Sequence, residues 1–339
     1  MNIQERMLHY HVAGLSIAYI HHYQMTDIQN YGLLEAETDK QVNNHTIFSA
    51  CSMSKFLTAM LVAKLSSQFV LDLDEDVNKR LSAWQVRENE STKDKSVTLR
   101  SLLSHQSGII DPDGSFTELN RLIGYRPMTE ILEGKTLYCP TPIEVSNEPG
   151  SAFHYSDAGY CIIQQLLEDV LEKPFHSMIK EHIFDPLKMD QSIINMKIAY
   201  TDDCSTGHNK DGTIVKGKYP IYPYPAAAGL WTTSSDFAAL VIELMNSLQG
   251  KSTLGLSPIQ ANEVISMQGG KDWTGLGVFL DHSGNELEIS SLGWGAGFQC
   301  MMAALPHSGN GLVIMTNTEL GVHQMKGLIG EIYQSWIGK

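Results

Sequence analysis

The chain has 339 residues, 42% hydrophobic and 18% charged, a composition that suits one large folded domain or two coupled ones and excludes a disordered chain. Its 24 Lys and Arg against 38 Asp and Glu leave a formal charge of -14, a field that repels phosphates and argues against a nucleic-acid partner. No apolar run reaches the ~18 residues of a spanning helix, so no transmembrane segment is expected.

In chain order, the first residues read as a short helix. Ala13–Ile20 then reads as a strand, and a second one around Asp27 to Leu33 makes the pair a hairpin. A helix follows at about Ser52. Leu71–Asp76 is an acidic connection and Trp84–Lys95 a polar surface loop. In the next segment Thr98 is a candidate N-cap and Gly108 a candidate stop for a short helix. Residues 110–150 are irregular, with one helical piece near Met128–Leu132. Pro149–Asp157 is a turn-rich loop, and the apolar positions Tyr160, Ile163, Leu166, Leu167, Val170 and Leu171 then recur with a helical period. A further helix leads to Asp185–Met189, and residues 200–224 read as loop and turn. Ala226–Asp236 leads into another helix, capped by a Ser or Thr of that run. After Gly269 the chain turns β-like, with strands expected over Leu276–Leu280, Leu287–Leu292, Phe298–Leu305 and Gly311–Thr316, and a hairpin turn over Asp281–Asn285. Val322, Met325, Leu328, Ile329, Ile332 and Trp336 line one side of a last helix.

Strands thus sit at both ends and helices in the middle. The expected fold is an antiparallel sheet built from both chain ends (1–68 and 225–339) and flanked by helices, with a mostly helical region (69–224) inserted and a cleft between the two.

The stretch Phe48–Leu65 carries the chemistry. From Phe56 on it is apolar on nearly every side, broken only by Thr58 and Lys64, and a helix apolar all round is buried. Ser52 and Lys55 stand three residues apart at its start, where a hydroxyl and an amine meet on one face. A lysine beside a serine hydroxyl is one way to activate a nucleophile, and a helix start offers free N–H groups to a developing oxyanion. Ser-x-x-Lys is short, and the chain holds a second copy, Ser177–Lys180, in a mixed polar segment that reads as a solvated helix face. His105, near a helix end, reads as a structural histidine. Cys51 reads as a small core residue; with Cys139, Cys161, Cys204 and Cys300 it makes an odd set without a C-x-x-C pair, which fits a reducing compartment and neither a disulfide scaffold nor a zinc site. The N-terminus lacks a basic-then-apolar leader. As written the chain is expected to be cytoplasmic; a trimmed leader would leave the same sequence and an extracytoplasmic protein. A metal hydrolase using His9, His11, His21 and His22 is disfavoured, because no His-Glu-x-x-His pattern accompanies them.

Five ordered signposts go further: Phe48–Lys55, Leu102–Gly108, Pro149-Gly150 ahead of Tyr155-Ser156-Asp157, Ala228–Thr233, and Gly293–Phe298. Together they resemble the serine β-lactamase and penicillin-binding-protein-like family in its class C branch, over about Val12 to Asn317; that branch also holds D-aminopeptidases, D,D-carboxypeptidases and esterases. The resemblance implies a serine hydrolase with Ser52 as nucleophile, Lys55 as its partner and Tyr155 as a second base, an oxyanion hole from the N–H groups of Ser52 and Trp294, and no metal or organic cofactor. The implied partner is a small ester, amide or β-lactam-like substrate. Two positions depart from the pattern. Asp157 stands where Asn is common, either capping the next helix or holding Lys55 charged. Ser291-Leu292-Gly293 stands where Lys-Thr-Gly or His-x-Gly is usual, keeping Gly293 but losing the cation that holds a substrate carboxylate. The expectation is therefore a hydrolase of esters or amides lacking that carboxylate. The alternatives are a β-lactamase or D,D-carboxypeptidase, and a non-hydrolytic penicilloyl-binding sensor that stays acylated.

Overall fold

In the computed structural model the structure describes residues 1–194 and 202–338. Among the described residues nine strands run β1 (Gly14–His21), β2 (Gln24–Gly32), β3 (Phe48–Ser49), β4 (Ile193–Ile194), β5 (Leu230–Thr232), β6 (Phe279–Asp281), β7 (Glu288–Gly295), β8 (Phe298–Leu305) and β9 (Asn310–Thr316). Six of them form one antiparallel sheet in the order β2-β1-β9-β8-β7-β6, so the two ends of the chain meet where β1 pairs with β9. The short strands β3, β5 and β4 form a second sheet. This is an antiparallel sheet with flanking helices, built from both chain ends as the strand pattern there implied.

Side chains on a strand alternate between faces, and the central strands use both. Leu15, Ile17, Met301, Ala303, Leu312 and Ile314 pack under two terminal helices, α1 (Ile3–Tyr10) and α11 (Leu328–Ile337). The other face, with Ala18, Ile20, Cys300, Met302, Val313 and Met315, joins the main core. That core contains α2 (Ser54–Ser67), in which every residue from Ser54 through Ser66 is buried. It continues through α3 (Leu99–Leu103), α4 (Met128–Leu132) and α5 (Asp157–Leu171) without a break. Three short helices follow: α6 (Phe175–Ile179), α7 (Asp185–Leu187) and α8 (Pro225–Ala228). α9 (Ser234–Leu248) and α10 (Pro258–Val264) complete the set. Thr233 caps α9 by accepting from Asp236 N–H, as expected of that Ser/Thr run. Residues 200 and 201 of the expected loop lie outside the described residues.

Several boundaries differ from the sequence reading for physical reasons. β2 starts at Gln24, three residues early, because it is an edge strand whose first half is exposed and carries no apolar alternation. The strand expected over Leu276–Leu280 is mostly a tight turn, and only Phe279–Asp281 joins the sheet. The helix capped by Thr98 ends at Leu103, before Gly108, because His105 adopts a left-handed φ of 59°. The last helix begins at Leu328, because Gly327 is extended and separates it from a 3-10 turn over Gln324–Lys326.

Since α2 is surrounded by core on all sides, truncation there should cost far more than on α1. Phe56, fully buried, should lose about 3–5 kcal/mol of stability on replacement by Ala. Leu8, 78% exposed, should lose almost nothing. Urea unfolding of the two variants measures the contrast.

Candidate active site

The chain reaches the site from β3, whose Phe48 and Ser49 pair with Thr232 and Trp231 of β5. Ala50 N–H then donates to Leu230 O, and a 3-10 turn over Cys51–Met53 carries Ser52 into the start of α2. Cys51 is left-handed, at φ 47°, a conformation that costs a non-glycine residue and persists where its surroundings hold it. Here they do: its thiol is buried, and burial pushes that thiol up to about 12, which leaves it inert as the sequence reading expected.

Lys55 follows in the first turn of α2 and is only 2% exposed. Its ammonium lies 3.1 Å from Ser52 Oγ, 3.1 Å from Ala227 O of α8, and 2.6 Å from Asp157 Oδ1 at the start of α5. Two of the ammonium's three N–H donors thus have hydrogen-bond acceptors, and the Asp157 carboxylate pairs with its charge. Burial pulls the Lys55 ammonium toward losing its proton, but the Asp157 carboxylate, with Tyr155, more than offsets this, and the net shift is upward. Of the two roles weighed for Asp157, the charge-holding one matches this geometry. The cap is Ser156, whose Oγ accepts from Gly159 N–H.

Tyr155 is 43% exposed at the cleft mouth, and its ring lies 4.8 Å from the Lys55 ammonium. Beneath it His105 stacks at 4.3 Å. His105 Nδ1 accepts from Ser156 N–H, and burial followed by the Lys55 charge holds its imidazole well below the usual range. It is therefore a neutral platform for Tyr155, in keeping with a structural histidine. Asp111, which the sequence reading missed, anchors the other side of this loop. Its carboxylate accepts from Ser156 Oγ–H, Asp157 N–H and Ala158 N–H. Burial, followed by the Asp157 charge, raises Asp111. No local spacing announces it, since it lies more than forty residues from its partners.

β7 forms the opposite wall. A Cβ on Gly293 would lie 2.3 Å from Ala50 O, and one on Gly295 would lie 2.5 Å from Tyr222 Oη and 2.8 Å from Cys51 Sγ. Only glycines let this strand press against the nucleophile turn. Ser291 is buried and lines the cleft with Ser52, Lys55, Tyr155 and His105. Trp294 turns outward, 44% exposed, and its indole N–H donates to Glu319 at 3.2 Å. Among the described residues that line the cleft, Lys55 is the sole cationic side chain, His105 being neutral. The structure thus brings together Ser52, Lys55, Tyr155, Asp157, Ser291 and β7 around Gly293. The second Ser-x-x-Lys copy is elsewhere, with Lys180 exposed and paired to Asp185. Among the described residues no three His, Cys, Asp or Glu side chains gather as a metal would require.

A model of the beta-lactamase family matches residues 2–331. The chain belongs to the beta-lactamase family. Solved structures agree on the fold. The octameric penicillin-binding protein homologue from Pyrococcus abyssi superposes with a TM-score of 0.77 at 20% identity, covering 99% of this chain and 76% of that one. D-alanine carboxypeptidase AmpC from Burkholderia cenocepacia gives 0.74 at 19% identity, over 98% of this chain and 96% of that one. Among curated relatives, Protein flp of Staphylococcus aureus (strain MW2) is 22% identical over 230 residues, 67% of this chain and 43% of that protein. The chain spans less than half the length of the first such relatives it matches. Membership of the beta-lactamase family supports chemistry of the serine-hydrolase type and leaves the substrate to the site.

The Lys55–Asp157 pair carries a pH signature. A lysine whose folded pKa exceeds its unfolded value of about 10.4 adds stability that is fully present below that pH and is lost as pH rises through the folded value. Asp157→Asn should therefore be less stable than the wild type by a constant margin from neutral pH to about 10. The margin should close above that, as urea unfolding at stepped pH would record.

Proposed function

We propose that this chain is a serine acyl hydrolase that works through an acyl-enzyme on Ser52, acting on ester or amide substrates. The observation that carries the reading is the Lys55 ammonium, held 3.1 Å from Ser52 Oγ and 4.8 Å from the Tyr155 ring centre in one cleft. As an ammonium paired with the Asp157 carboxylate, it has no lone pair with which to take the serine proton. Its roles are to orient Ser52 Oγ and to place a positive charge beside Tyr155. Tyr155 is then the base.

In the proposed cycle Tyr155 takes the proton from Ser52 as Oγ bonds to the substrate carbonyl carbon. The carbonyl electron pair moves to oxygen, where the N–H groups of Ser52 and Trp294 receive it. As the pair returns, the bond to the leaving atom breaks and that atom takes the proton from Tyr155. A water then repeats the sequence with Tyr155 as base, releasing the acid and restoring Ser52. Substrates bearing a carboxylate beside Ser291, as β-lactams and peptide C-termini do, meet no cation but the paired Lys55 among the described residues that line the cleft, which favours neutral esters and amides over a β-lactamase or D,D-carboxypeptidase activity.

Intact-mass analysis after exposure to a fluorophosphonate, activated esters and β-lactams tests the reading. An adduct on Ser52 is expected. Turnover of the adduct from an ester or β-lactam marks an enzyme and its persistence a sensor, whereas an adduct on Ser177 or another serine overturns the assignment. Ser52→Ala should abolish labelling and remain folded. Lys55→Ala and Tyr155→Phe should each remove most of kcat/KM, with the double variant little worse than either, because groups that act as one unit lose activity non-additively. Two independent, multiplying losses would refute the coupling. Restoring a cation with Ser291→Lys should raise kcat/KM for a carboxylate-bearing ester by roughly ten- to a hundredfold, the worth of a charge-assisted hydrogen bond, and change a matched neutral ester much less.

A further inference from the structure

In the proposed cycle Tyr155 returns its proton to the leaving atom, so the leaving group departs on the side of the cleft that Tyr155 walls. Across from Tyr155 on that side stands the segment Trp273–Leu280. Its shape is held at many points. Thr274 and Phe279 bridge each other, Gly275 N–H donates to Val278 O, and Leu280 N–H donates to Trp273 O. Gly277, at φ 71°, pins the turn to the nucleophile helix. Its N–H donates to Leu103 O, and a Cβ there would lie 2.7 Å from Ala59 Cβ and 2.9 Å from Lys55 O. Phe279 is further fixed by pairing with Ser290, the residue before Ser291. A chain of rings ties the segment back to the base: Trp273 meets Phe153 at 4.5 Å, Phe153 meets His105 at 5.6 Å, and His105 underlies Tyr155.

The space this wall leaves beside Ser52 is about 20 Å³, room for a group little larger than one water. Its lining is apolar at Leu103, Val278, Phe279 and Leu292, and the Thr274 hydroxyl is turned to Gly275 O. We propose that this is the leaving-group pocket, that it takes a small uncharged alcohol of one or two carbons, and that Phe279 sets the size limit. The proposal deepens the acyl-enzyme reading and rests on it. In this step the ester C–O bond breaks, the alcohol oxygen takes the Tyr155 proton, and the acyl group stays on Ser52 Oγ.

The test holds the acyl group constant and varies the alcohol through methyl, ethyl, butyl and carboxymethyl esters. The first three release alcohols of similar acidity, so size alone distinguishes them. In the wild type kcat/KM should fall at least about tenfold from ethyl to butyl, the discrimination a hydrophobic pocket achieves against added methylenes. The carboxymethyl ester should also fall below the ethyl ester. Phe279→Ala should recover the butyl-to-methyl ratio by about tenfold, with Phe279→Leu between the two. A wild type that handles the butyl or the carboxymethyl ester as well as the methyl ester overturns the pocket assignment, as does a Phe279→Ala variant whose methyl and butyl rates change in equal proportion. Fluorophosphonate labelling separates this from the parent reading, because its fluoride leaving group fits any pocket. A label on Ser52 with a preference for bulky alcohols overturns the pocket alone, whereas no label on Ser52 overturns both.

Discussion

A buried ammonium organises this molecule. Lys55 sits at the start of a helix that core surrounds on every side, where an unpaired charge would cost several kcal/mol. Its charge is tolerated because three separate pieces of chain bring a partner to it: hydrogen-bond acceptors on the 3-10 turn at Ser52 and on α8 at Ala227, and the carboxylate of Asp157, the first residue of α5. Losing any one of these partners leaves a polar group without compensation in a dry place. The requirement therefore draws the three segments to one point, and that point is the floor of the cleft.

Around that floor the walls are placed by close contact and not by attraction alone. Gly293 and Gly295 let β7 lie against Ala50, Cys51 and Tyr222 at distances no side chain would permit. Gly277 does the same between the Trp273–Leu280 turn and α2. On the far side Asp111 gathers three donors at the beginning of α5 and so holds Tyr155 and Asp157 in their loop, over the neutral ring of His105. Polar pairing thus sets where the charge lies, and glycine contact sets how narrow the cleft is.

Much of this was legible from residue pattern, and the reason is local. The buried helix announced itself because Phe56 to Leu65 leaves no polar face for water. β8 occupies Phe298–Leu305 as expected, since a central strand apolar on both faces is a dense signal. Edges were less readable. β2 begins in exposed polar residues, and the turn over Gly275–Val278 interrupts a run of apolar residues that reads as strand.

The resemblance carried by five ordered signposts implied the β-lactamase-type plan, and residue spacing alone set the pairing of Ser52 with Lys55, because three residues at a helix start bring two side chains together without help from the rest of the chain. The sequence also determined that no cation stands at position 291. It took the docked segments to pair Asp157 with Lys55 while Ser156 caps α5, to set Asp111 against the Tyr155 loop, and to bring Phe279 to the wall of the cleft. Each of those depends on segments tens to hundreds of residues apart being docked against one another, and docking is set by the packing of whole faces, which no local spacing encodes.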